Sequence, residues 1–89
     1  MKIHWEISVI GKVQGVWFRK STQLEARKLG LIGFVKNEKD GSVYLEVEGE
    51  EAAVSEFVAW CTHGPELADV QSLKMIKGEL LEFNSFDIA

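Results

Sequence analysis

The stretch Lys2–Gly30, KIHWEISVIGKVQGVWFRKSTQLEARKLG, reads as a strand, a glycine-bearing loop and a helix in direct succession. In KIHWEISV, Ile3, Trp5, Ile7 and Val9 alternate with His4, Glu6 and Ser8, the period of two expected of a half-buried strand. STQLEARKLG collects good helix formers, with Thr22 and Glu25 at capping-box spacing, Lys28 near the end and Gly30 as the stop. An earlier helix start near Phe18 is the alternative.

Working outward, IGFVKN predicts a second strand, EKDG a turn, and SVYLEVEG a third strand in which Val43, Leu45 and Val47 alternate with Tyr44, Glu46 and Glu48. These two strands form a hairpin. EEAAVSEFVAWCTHG places Val54, Phe57, Val58 and Cys61 at i, i+3, i+4 and i+7, with acidic residues at its start, and predicts a second helix stopped by Gly64 and Pro65. LADVQSLKMIKG predicts a fourth strand and FNSFDI a short fifth one. The order is βαββαβ with one extra strand, and two helices can cover only one face of such a sheet. The expectation is therefore an α+β, ferredoxin-like two-layer sandwich with an antiparallel sheet. Its other face is expected to be largely polar, supplied by His4, Glu6, Ser8, Tyr44, Glu46 and Glu48, with His4 turned outward.

The chain has 89 residues, 46% hydrophobic and 27% charged, which suits one small domain over 1–89 and leaves no room for a second. A net charge of −4 opposes the extended basic footprint of a nucleic-acid binder. The start MKIHWEISVI has no long apolar core of a leader, and no apolar run approaches the roughly 18 residues of a membrane span. A cytoplasmic location is expected. The single cysteine, Cys61, agrees with a reducing compartment and stands on the apolar stripe of the second helix, where it reads as a core residue.

The loop GKVQGVWFR is the unusual feature. Arg19 and Lys20 lie at or just before a helix start, where the positive end of the macrodipole disfavours cations by up to about 1 kcal/mol each. An anion would relieve that conflict. Gly11 and Gly15 allow the backbone to curl and turn several N–H groups inward, and a helix N-terminus adds donors. From the loop alone, a phosphate-sized cradle and a plain connection with solvated Lys12 and Lys20 are equally good descriptions. Gly11-Lys12 is followed by Val13 instead of Ser or Thr, which excludes a P-loop, and Val13 also stands where a cysteine-dependent phosphatase would need its thiol.

GKVQGVWFRKST, followed by GFVKNEKDGSVYLEVEGE and THGPELADV, resembles the acylphosphatase family over nearly the whole chain. The combination of Gly11, Val13, Gly15, Val16, Phe18 and Arg19 with Gly33, Val35 and Asn37 is specific. The resemblance implies that Arg19 and the backbone of Gln14, Gly15, Val16, Trp17 and Phe18 hold a phosphate group while Asn37 orients the attacking water. It also implies a small-molecule acyl phosphate as substrate, orthophosphate as product, no metal or cofactor, no nucleic-acid or membrane partner, and a monomer. Phe34 stands where many members carry tryptophan, a conservative change in packing. The last strand stops at Ala89 where others run on to an aromatic residue, which would loosen it.

The residues themselves are consistent with that chemistry. Asparagine can orient water but has no basicity with which to deprotonate it, so the substrate must already be reactive. A carboxylic-phosphoric anhydride qualifies, because its carboxylate leaving group needs no general acid and phosphoryl transfer demands mainly positioning and charge stabilisation. Taken without the resemblance, Asn37 before EKDG reads better as a turn residue. His4 and His63 lack further ligands at regular spacing, so a metal site is not expected. Trp17 either flanks the cradle or covers the sheet edge, and Glu48, Glu50 and Glu51 read as an exposed acidic stretch. The rival functions are a non-catalytic anion-binding module, an RNA-binding sandwich, which would want aromatics and cations on the open strand face, and metal transport, which would want a Cys-x-x-Cys loop.

Overall fold

The computed structural model describes residues 1–89. Its elements are β1 (Lys2–Lys12), α1 (Phe18–Lys28), β2 (Ile32–Asn37), β3 (Val43–Glu50), α2 (Glu51–Cys61), β4 (Asp69–Gly78) and β5 (Phe86–Ile88). The sheet runs β4-β1-β3-β2-β5, with α1 packed on β2 and β5 and α2 on β1 and β3. One cluster fills the space between the layers. Ile3, Ile7 and Val9 from β1 meet Val43, Leu45 and Val47 from β3, and Phe18, Val54, Phe57 and Cys61 close it from the helices. Cys61 is fully buried, which pushes its thiol far above the ordinary range and makes it an apolar filler. No helix is long and apolar enough to cross a membrane.

The sheet is mixed, where a wholly antiparallel one was expected. β1 pairs antiparallel with β3 and β4, and β2 with β3, but β5 runs parallel to β2 through Gly33↔Phe86, Phe34↔Asp87 and Val35↔Ile88. The reason is the route of the chain. β4 lies at one edge and β5 at the other, and the segment between them crosses the open face of the sheet, so β5 enters alongside β2 in the same direction.

That crossing also corrects the expected polar, outward His4 and exposed Glu48. Both are buried, because the crossing chain lies over them. The N–H groups of Leu81 and Glu82 donate to the Glu48 carboxylate, and Phe83 stacks on the His4 ring at 6.1 Å and meets Phe34 edge-to-face at 5.8 Å. His4 stands directly across the β1–β3 ladder from Glu48, with Nδ1 2.8 Å from Glu48 Oε2 and Nε2 2.9 Å from Glu46 Oε1. Glu6 faces Glu46 in the same ladder, an unfavourable like-charge pair. The Tyr44 hydroxyl donates to Glu46 Oε2 at 2.6 Å and lies 3.4 Å from Glu6 Oε1, which offsets the repulsion. Burial and those two carboxylates push the Tyr44 hydroxyl well above the ordinary phenol range.

Helix α1 begins at Phe18, so the capping box expected at Thr22 and Glu25 does not form. Thr22 lies a full turn inside the helix, buried against the core, and no side chain caps the first turn. The expected stop does form. Gly30 N–H donates to the Arg27 carbonyl and Leu31 N–H to that of Ala26, the paired bonds of a Schellman motif. α2 ends as read from the sequence, with Gly64 N–H on the Trp60 carbonyl at 2.9 Å.

Candidate active site

β1 delivers the chain to the site through a bulge between Ile10 and Gly11. Gly15 and Trp17 then both take left-handed backbone conformations, φ +73° and +65°, with Val16 buried between them. Glycine adopts this geometry freely, whereas a bulky side chain such as tryptophan is strained there by about 1–2 kcal/mol. Such alternation bends the backbone into the concave, N–H-lined form that suits anions. Helix α1 follows at once. The Trp17 carbonyl accepts from Ser21 N–H at 3.0 Å, while the first-turn N–H groups of Phe18, Arg19 and Lys20 precede the helical ladder and have no side-chain cap.

The first turn of α1 carries no acidic residue, and Arg19, exposed, forms no ion pair or side-chain hydrogen bond within the chain. A cation at the positive end of a helix, with no carboxylate beside it, is electrostatically unsatisfied. Val13, Gly15, Trp17, Phe18, Arg19, Lys20, Asn37 and Ile88 line one cleft of about 430 Å³. Asn37 comes from the last position of β2, paired with Val43, and its exposed side chain leaves its amide free for a guest.

The hairpin turn after Asn37 is tied to the loop between β1 and α1 by Gln14. Its Nε2 donates to the Glu38 carbonyl at 2.7 Å and to the Ser42 carbonyl at 2.8 Å. Ser42 in turn donates from its hydroxyl and its N–H to Asp40 Oδ1, which holds the Asp40 carboxyl below its ordinary value. Of the residues read from the sequence, Arg19, Asn37, Gly15, Trp17 and Phe18 meet in the cleft. The side chains of Gln14 and Val16 do not line it, the first being spent on the hairpin and the second on the core, so any part these two residues take in the cleft is through their backbone.

Val13, Lys20 and Ile88 are the lining residues that sequence reasoning did not place in the site. Lys20 carried a signal, since it shares the frustrated first turn with Arg19. Ile88 carried none, because only the parallel pairing with Val35 brings β5 to the site.

The profile of the acylphosphatase family matches residues 5–88. The chain belongs to the acylphosphatase family. An acylphosphatase of Archaeoglobus fulgidus is 44% identical over 84 residues, which cover 94% of each chain. The solved acylphosphatase of Bacillus subtilis superposes with a TM-score of 0.95 at 36% identity, covering 98% of both chains. That of Coxiella burnetii gives a TM-score of 0.95 at 32% identity, covering 99% of this chain and 93% of its own. In this acylphosphatase the cleft offers two cations, one neutral amide, a helix N-terminus and no carboxylate. Such a lining favours a multiply charged tetrahedral anion over a neutral or cationic guest.

Proposed function

We propose that residues 1–89 act as one domain that hydrolyses acyl phosphates to a carboxylate and orthophosphate, with Arg19 and the Gly15–Phe18 backbone holding the phosphoryl group and Asn37 orienting water. The observation that carries this reading is the unpaired Arg19 in the first turn of α1, in the same cleft as Asn37. Arginine can offer a planar fork to two phosphoryl oxygens, and the helix N-terminus adds N–H donors where negative charge gathers in the transition state.

The reaction is direct. Water oxygen bonds to phosphorus as the bond from phosphorus to the bridging oxygen breaks, the carboxylate departs with the bonding pair, and the water's protons end on orthophosphate. No side chain lining the cleft is a usable base at neutral pH, which restricts the substrate to phosphates with a good leaving group. Charge neutralisation by Arg19 takes the place a metal ion would hold, and the chemistry calls for no cofactor. A cytoplasmic monomer acting on small molecules fits the buried free thiol of Cys61. The net charge of −4 and the carboxylates on the open sheet face disfavour a nucleic-acid partner.

The test is hydrolysis of an aryl acyl phosphate, followed by its ultraviolet absorbance with chelator present, for the parent, Arg19→Ala and Asn37→Ala. We expect Arg19→Ala to lose about 10³-fold or more and Asn37→Ala about 10²–10³-fold in kcat, with both variants folded by circular dichroism. A parent that binds phosphate without turnover would make the chain an anion-binding module instead.

A further inference from the structure

The cleft is larger than one tetrahedral anion requires, and Arg19 is not its only cation. Lys20 follows Arg19 directly, and successive helical residues project about 100° apart, so the two cannot converge side by side on one spot. The structure shows what holds Lys20 aside. Its Nζ lies 3.3 Å from Gln23 Oε1, one turn along α1, and Gln23 Nε2 donates to the Phe86 carbonyl of β5 at 3.1 Å. Gln23 is itself buried, so this tether is anchored in the core. Lys20 is thereby drawn toward β5, the strand that contributes Ile88 to the cleft wall, and the exposed apolar surfaces of Trp17 and Ile88 remain for a short hydrocarbon linker.

We propose that Lys20 is a specificity residue, selecting acyl phosphates whose acyl part carries a second anionic group, a carboxylate or phosphate at its far end. This rests on the acyl phosphate hydrolysis proposed above. Only one of the three ammonium donors faces Gln23, which leaves two for the guest, and a compact ammonium suits a terminal anion that need not be gripped in a plane. No carboxylate lines the cleft to repel such a group.

Succinyl phosphate and butyryl phosphate have the same chain length and differ in a terminal carboxylate, so their ratio of kcat/KM isolates the second charge. For the full chain we expect a preference of roughly five- to tenfold for succinyl phosphate, which shrinks as salt rises. In Lys20→Met, which keeps the aliphatic stem, that ratio should fall toward one, and in Lys20→Arg it should largely survive. Inhibition by orthophosphate, measured on each variant, reports the phosphate site separately. A parent with no preference, or a Lys20→Met variant in which both substrates and phosphate inhibition weaken together at an unchanged ratio, would overturn the assignment and put Lys20 on the phosphoryl group. A parent that hydrolyses neither substrate would overturn the underlying hydrolytic reading, and this inference with it.

Discussion

Arg19 brings what a lysine could not: a delocalised charge on a planar fork that spans two oxygens. Placed at the positive end of α1 without a partner, it gains its full interaction only when an anion arrives. We therefore expect Arg19→Lys to fold normally yet lose most of its turnover, on the order of 10²-fold or more, in the same absorbance assay. Near-normal activity would exclude two-point binding. Trp17 gives the opposite kind of residue-scale prediction. It holds φ +65° with its side chain 75% exposed, so the fold bears the backbone strain and gains little packing in return. Trp17→Gly should raise stability by about 1 kcal/mol in urea unfolding, at some loss of apolar cleft wall. A destabilised variant would show that the indole packs more than its exposure indicates.

At the scale of elements, the open face of the sheet is held by a latch between β3 and the chain leading to β5. Burial alone would push the Glu48 carboxyl up, but the N–H of Leu81, the His4 ring and the N–H of Glu82 outweigh it and hold the group below its ordinary value. A carboxyl depressed in the folded state stabilises the fold above its unfolded pKa, near 4.5, and that stability fades as pH falls below it. Glu48→Gln should cost about 2–3 kcal/mol at pH 7 and show a flatter loss of stability between pH 5 and pH 3 than the parent. Urea midpoints across that range measure both. Equal acid sensitivity in parent and variant would move the titration to another carboxylate. The latch also bears on the cleft, because the chain it pins is the one that places Ile88.

For the whole molecule, the cleft assembles from distant parts: the loop after β1, the first turn of α1, the end of β2 and the end of β5. A ligand that binds only this assembled form stabilises the entire fold. Orthophosphate at about ten times its Kd should add about 1.4 kcal/mol and raise Tm by roughly 6–11 °C for a domain of this size. Arg19→Ala should abolish most of that shift while leaving the unliganded Tm within a few degrees. A parent whose Tm ignores phosphate would remove the anion cradle from the account.

Much of this architecture was legible in the order of residues. The alternation in β1 and β3, the apolar stripe of α2, the stop at Gly30 and the frustrated cations after Gly15 are set by neighbours within a few positions, and such short-range patterns survive in any fold. Arg19 and Gly15 accordingly stand out as candidates from their neighbours alone, whereas Asn37 is singled out only by the resemblance to the acylphosphatase family. What only the tertiary structure decided depends on partners far apart in the chain. His4 and Glu48 look like ordinary outward strand residues until a segment some thirty residues beyond Glu48 lies across them. The Gln14 side chain looks like an ordinary polar loop group until the turn carbonyls of Glu38 and Ser42 take its amide and tie the loop to the hairpin. The sequence leaves the start of α1 open between Phe18 and the box at Thr22, and the structure takes Phe18, with both Phe18 and Thr22 buried against the core. The parallel β5, and with it Ile88 and the tether on Lys20, follows from the path of the chain around the whole sheet, which no local pattern encodes.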